Sequence, residues 1–285
     1  MNLIVAQLSQ AMRLFLQTTR RVFQYAQMSE CYACNQLIPF LKQHTKRAQS
    51  ASRGFTGTLT SNVKPPSNWL CPTCCELLLT PTRVGCRQCA LKLGPRVLNF
   101  GWSYCRHCKP TPNPQIKTSV LCDYIPPWSN WITRLKYGNE PEIAMMLADL
   151  LAHRLLLNKK DLPDVLIPTP ISPEKLKHRG YNQAQLIADH LSKALNRPVM
   201  NNVLIKIHET PSQADLSKEQ RQSNLDHVML CREKLNPTLI IGIVDDVITT
   251  GSTLKACMSA CMKAGATQFH HLAISRTPEP FVSIE

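Results

Sequence analysis

No segment restricts the fold of this chain more than Ile240-Ile-Gly-Ile-Val-Asp-Asp-Val-Ile-Thr-Thr-Gly-Ser-Thr253. Its apolar start, Leu239–Val244, reads as a buried strand that delivers Asp245 and Asp246 to its carboxyl end. A loop through Thr249, Thr250, Gly251, Ser252 and Thr253 then enters a helix, Thr253–Ala264, capped by Gly265. A core strand passing through a polar loop into a helix is the unit of an α/β sheet, and ligands of open α/β sheets bind at this edge.

The residue types in that loop suit a sugar phosphate. Backbone N–H groups at a helix start, backed by the positive end of the helix dipole, favour a phosphate. Gly251 lets the backbone approach it, and the hydroxyls of Thr249, Thr250, Ser252 and Thr253 add donors. Carboxylates accept hydrogen bonds from vicinal hydroxyls, so Asp245 and Asp246 suit a ribose. A plain strand–loop–helix with an N-capping Ser or Thr fits less well, because two adjacent carboxylates cost free energy unless a ligand or metal engages them. A response-regulator-type acidic pocket lacks the Thr-Thr-Gly-Ser-Thr loop.

The neighbouring sequence continues the alternation of strand and helix. Trp128–Tyr137 is a short helix. Pro141 opens another, with Ile143, Met146, Leu147, Leu150, Leu151 and Leu155 on one face. Val165–Ile167 is a buried strand ending at Pro168. Asn182–Leu195 is an amphipathic helix with Ala184, Ile187, Ala188, Leu191 and Ala194 inward, and Phe269–Ile274 is a further strand. The fold class is therefore α/β, a parallel sheet with helices on both faces.

Thirteen cysteines precede or punctuate this domain, eight of them in C-x-x-C pairs: Cys31/Cys34, Cys71/Cys74, Cys86/Cys89 and Cys105/Cys108. The gaps between successive pairs are 36, 11 and 15 residues. Two-residue spacing lets both thiolates of a knuckle face one ion, and two knuckles complete a tetrahedron. Four knuckles make two sites of about one Zn2+ each, with sequential pairing preferred because each ribbon is then a local unit. The role is structural, since four thiolates leave no open position for a substrate. Cys75 is a spare; Cys122, Cys231, Cys257 and Cys261 lack partners at knuckle spacing, and the last two read as helix packing.

Three segments follow: an amphipathic helix over residues 1–28, a double zinc-ribbon module over 29–120 with a flexible insertion at about 42–68, and the α/β domain over 121–285. Residues 1–120 hold 15 Lys and Arg against 2 Asp and Glu, whereas residues 121–285 hold 18 against 17. Two four-thiolate zinc sites lower the first surplus from 13 to about 9 positive charges. That leaves a basic module for which nucleic acid is the obvious partner. No run of apolar residues is long enough for a transmembrane helix. Polar residues break up any signal-peptide core near the N-terminus, so a cytoplasmic location is expected.

From about Cys31 to Arg276 the chain resembles the ComF/GntX family. The resemblance rests on the cysteine knuckles, Asp123-Tyr-Ile-Pro-Pro127, Leu135-Lys-Tyr137, Ile167-Pro-Thr-Pro170, His178-Arg-Gly-Tyr-Asn-Gln183, Thr210-Pro-Ser-Gln213, Arg221-Gln-Ser-Asn224 and the ligand motif. The Arg-Gly-Tyr-Asn-Gln piece is the most specific of these. The insertion between the first two knuckles is longer than the family pattern, and residues 2–27 are additional to it. The motif at 240–253 is itself similar to that of type I phosphoribosyltransferases.

The resemblance implies that Asp245 and Asp246 hold the ribose hydroxyls of phosphoribosyl pyrophosphate, and that residues 249–253 hold its 5′-phosphate. Thr169 belongs to the loop near the pyrophosphate, and Arg179 is a candidate pyrophosphate clamp. Mg2+ would accompany the ligand, as Zn2+ would the knuckles. The implied function is a phosphoribosyltransferase-like protein linked to DNA uptake or nucleotide salvage. The alternatives are a non-catalytic sensor of a phosphoribosyl ligand and an adaptor contacting single-stranded DNA or DNA-uptake proteins. A homodimer is compatible with either.

Overall fold

The computed structural model describes residues 28–39, 69–80, 84–94, 98, 99, 101, 103–157, 162–207 and 229–279. The expected helix over 2–27, the insertion at 42–68, and the motifs at 210–213 and 221–224 lie outside the described residues. The chain divides into two compact units between Thr80 and Pro81.

In the first unit, β1 (Met28–Glu30) and β2 (Leu37–Pro39) pair antiparallel, with Glu30 opposite Leu37. The first knuckle forms the turn between them. Cys31 N–H donates to Gln36 O at 2.8 Å, and Asn35 takes a positive φ of 58° that closes the turn. The second knuckle opens α1 (Pro72–Leu79). Cys71 is its N-cap and Pro72 sits in its first turn, where a missing N–H costs nothing. This helix is additional to the elements expected from the sequence.

In the second unit, the elements run β3 (Ile116–Asp123), α2 (Trp128–Tyr137), α3 (Glu142–Leu157), β4 (Val165–Pro168), α4 (Pro173–Arg179), α5 (Gln183–Leu195), β5 (Leu204–Lys206), β6 (Met229–Cys231), β7 (Ile240–Ile248), α6 (Ser252–Lys263) and β8 (Gln268–Arg276). The main sheet has the order β3-β8-β7-β4, with every neighbouring pair parallel. β5 and β6 form a separate antiparallel ribbon. The helices α3 and α5 pack together, α5 lies against β4 and β7, and α6 lies against β6 and β7.

Buried side chains explain the layering. Ile241 and Ile243 of β7, Val165 and Ile167 of β4 and Phe269 and Ala273 of β8 share one core with Leu254, Cys257, Ala260 and Cys261 of α6. Successive strand residues alternate faces, so Gly242 and Val244 look toward the opposite side. Gly242 is there because a Cβ would come within 2.8 Å of Leu166 Cδ2 and Pro163 Cβ.

Several expectations change in detail. β3 begins at Ile116, before the expected domain start at 121; its buried and half-buried residues alternate along Ile-Lys-Thr-Ser. The second knuckle group falls in the same unit as the sheet, whereas the first falls in the other. Arg87 O accepts from Thr118 N at 2.8 Å, and Gln88 O accepts from Thr118 Oγ1 at 2.6 Å, tying that knuckle to β3. Ala194 is exposed, and Leu195 takes the inward position instead. No helix of the described residues is long and apolar enough to cross a membrane.

Candidate functional site

The strand β7 runs four residues beyond the expected end. Asp245, Val247 and Ile248 pair with Ala273, Ser275 and Arg276 of β8, so the acidic pair lies within the strand, not past its tip. Alternation then sends the two carboxylates to opposite faces, Asp245 toward α6 and Asp246 toward the α3–α5 layer. Near the sheet's carboxyl edge both reach one cavity of about 450 Å³, which Thr169, Arg179, Thr249, Ser252 and Thr253 also line.

Asp245 is half-buried. Its Oδ1 accepts from Thr169 Oγ1 at 3.1 Å and from Asp246 N–H at 2.9 Å. Burial and the neighbouring charge of Asp246 push its carboxyl up to about 7, with these two hydrogen bonds and Lys136 acting the other way. Asp246 is buried, and its Oδ2 lies 2.9 Å from Lys136 Nζ. Lys136 lines the same cavity. It stood within the quoted Leu-Lys-Tyr motif without a role; its signal was a cation in the last turn of a helix with buried Trp131, Ile132 and Leu135.

The turn after β7 keeps the form the residues predicted. Gly251 takes φ 80°, in the left-handed region, and is the N-cap of α6 without a side-chain cap hydrogen bond. The first N–H groups of a 12-residue helix thus meet the cavity beside three hydroxyl side chains. Thr250 and Gly251 shape the turn rather than line the cavity: Thr250 Oγ1 accepts from Ser252 N at 3.3 Å and donates to Ser252 Oγ at 3.0 Å. Arg276 Nη1 and Thr277 N both donate to Ile248 O, at 3.0 and 2.9 Å, fixing the strand end that carries the turn.

Thr169 follows β4 and is buried. Its N–H donates to Val244 O and its carbonyl accepts from Asn182 Nδ2, each at 2.9 Å. Arg179 ends α4, a helix absent from the strand and helix pattern expected from the sequence. The signals were an N-capping Ser172 before Pro173 and a left-handed Gly180 at the far end. The Arg179 guanidinium donates to Gln183 Oε1 at 3.1 Å and sits 5.1 Å from the Tyr137 ring centroid. It is half-buried on the cavity wall, not a free surface side chain.

The eight knuckle cysteines gather into two groups in sequential pairing: Cys31, Cys34, Cys71 and Cys74, and Cys86, Cys89, Cys105 and Cys108. Within each group the sulfurs lie within 4.8 Å of one another. The 3.7 Å from Cys34 to Cys71 and the 3.6 Å from Cys89 to Cys105 match the edge of about 3.8 Å that a tetrahedron with bonds of about 2.3 Å requires. Hydrogen bonds from Cys89 and from backbone N–H groups hold the Cys86 thiol down to about 4, against desolvation. Burial raises Cys31, but the backbone N–H groups of Cys71, Ala33 and Cys34 outweigh it and bring that thiol to about 7. These donor sets fit one metal ion each.

Comparison with known proteins places the chain. No family model matches it. Competence protein F of Haemophilus influenzae is 32% identical over 185 residues, 63% of this chain and 81% of that protein. The chain belongs to the competence protein F family. DNA utilization protein YhgH of Salmonella typhi is 28% identical over 216 residues, 74% of this chain and 92% of that protein. Competence protein ComFC of Bacillus subtilis is 26% identical over 136 residues, 47% of this chain and 53% of that one.

Among solved structures, a purine phosphoribosyltransferase from Pyrococcus horikoshii is 20% identical, with a TM-score of 0.29, over 49% of this chain and 90% of that one. The glutamine phosphoribosylpyrophosphate amidotransferase of B. subtilis is 19% identical, with a TM-score of 0.30. This chain covers 48% of itself and only 26% of the amidotransferase in that match. Within the competence protein F family, then, this member combines two four-thiolate groups with a hydroxyl-rich cavity at the edge of a parallel sheet, lined by two carboxylates and by Lys136, Lys175, Arg179 and Lys206.

Proposed function

We propose that the chain binds a phosphoribosyl pyrophosphate-type ligand and serves DNA utilisation. The observation that carries this reading is the convergence of Asp245, Asp246 and the first turn of α6 on one cavity. Asp245 and Asp246 accept the ribose hydroxyls, and Thr249, Ser252, Thr253 and the helix N–H groups take the 5′-phosphate. Thr169 and Arg179 face the pyrophosphate; a guanidinium pairs two anionic oxygens at once, and its contacts to Gln183 and Tyr137 hold it ready. Magnesium, when bound with the ligand, would offset the charge of the pyrophosphate. Zinc at the two cysteine groups would be structural.

The names of the relatives, competence protein F and DNA utilization protein, support the DNA-related role. Titration calorimetry with phosphoribosyl pyrophosphate and magnesium tests the ligand: one site per chain is expected, and no magnesium-dependent binding overturns the reading. Pyrophosphate release over a panel of bases separates a transferase from a sensor. The excess of basic over acidic residues in 1–120 favours a single-stranded DNA contact. Binding by the full chain should then weaken steeply with salt, and a flat, negligible affinity removes that part.

A further inference from the structure

We infer that Lys136 is a specificity-determining residue that exchanges Asp246 for an anionic oxygen of the ligand on binding, an inference that rests on the ribose-phosphate reading of the cavity. The Nζ to Oδ2 separation is 2.9 Å, and the two side chains are only 20% and 12% exposed. Oδ2 itself is shielded from solvent and accepts no well-aligned hydrogen bond. The ammonium therefore stands where a ribose hydroxyl or a divalent cation would approach that oxygen. Either can reach Oδ2 only by displacing it.

The displaced ammonium has somewhere to go. Lys136 is in the last turn of α2, and its four-carbon stem lies on the wall of the cavity that Arg179, Lys175 and Lys206 also line. A cation removed from a carboxylate in a half-buried site needs a new anion, or the exchange is unfavourable. The cavity thus selects a ligand that brings two things together: hydroxyls or a cation for Asp246, and an anionic group within reach of Lys136. A neutral sugar supplies only the first, and inorganic phosphate only the second.

The test uses the zinc-loaded full chain, the variants Lys136→Gln and Lys136→Arg, and two probes. Electron paramagnetic resonance measures the affinity for Mn2+ alone, and calorimetry that for phosphoribosyl pyrophosphate with Mg2+. Lys136→Gln should bind Mn2+ about tenfold tighter and phosphoribosyl pyrophosphate at least about tenfold weaker. Lys136→Arg should return Mn2+ affinity close to that of the unaltered chain. An unchanged or lower Mn2+ affinity in Lys136→Gln overturns the exchange whatever the ligand does, as does a ligand affinity that stays the same. If the unaltered chain fails to bind phosphoribosyl pyrophosphate while the Mn2+ difference persists, the ribose-phosphate reading falls and the shielding of Asp246 stands.

Discussion

At the residue scale, Asp245 and Asp246 are neighbours in sequence with different surroundings. Thr169 and a backbone N–H hold Asp245, and an ammonium holds Asp246. Replacing both by Ala should weaken phosphoribosyl pyrophosphate binding at least tenfold while leaving the fold intact, as calorimetry and circular dichroism would read. The raised Asp245 value has a stability consequence. Its carboxyl rises from 3.8 to about 7 on folding, so the stability it contributes is complete below 3.8 and is lost as pH climbs through 7. His271 behaves oppositely: burial lowers it from 6.5 to about 4, so its contribution is present above 6.5 and disappears as pH falls toward 4. Asp245→Asn should therefore melt about 3 °C higher than the unaltered chain at pH 7.5. The difference should vanish near pH 4, and the acid-side loss attributable to His271 should remain. A melting difference that is constant with pH would contradict the assignment.

At the element scale, β7 decides the site. Its backbone pairs with both β4 and β8, so it has no freedom to slip, and a shift of one residue would exchange the faces of the two carboxylates. Gly242 lets β7 approach Pro163 and Leu166. Gly242→Ala should cost about 1–3 kcal/mol in a denaturant titration, because the new methyl meets atoms that have to move. Gly251 differs: its Cβ position is nearly open, with Ile248 Cγ2 at 3.8 Å, but its φ of 80° strains any other residue. The sequence made the chemistry of this element legible and its length illegible. A run of apolar residues signals burial, whereas the strand's continuation through Asp245–Ile248 depends on Ala273, Ser275 and Arg276 of β8. The helix α4 was legible in principle from Ser172-Pro173 and Gly180; the Lys, His and Arg residues between them carry no apolar periodicity that would mark it, and none of its residues is buried.

At the scale of the whole molecule, the two cysteine groups have different neighbours. Cys86 and Cys105 are packed with Leu91 and Leu93, and the knuckle backbone bonds to β3. Elemental analysis should find about two zinc ions per chain. Cys86→Ser should remove one and lower the melting of the sheet unit, whereas Cys31→Ser should remove one and leave that melting unchanged. Equal effects on the sheet would contradict the division of the chain after Thr80. The strand–turn–helix chemistry, the α/β class and the knuckle spacing are legible in the order of residues alone, because each depends on residue types a few positions apart. Which face each carboxylate takes, which ammonium stands beside Asp246, and the place of the second knuckle group in the sheet unit come from the folded chain. Those outcomes depend on strand register and on hydrogen bonds between distant segments, and local periodicity does not encode them.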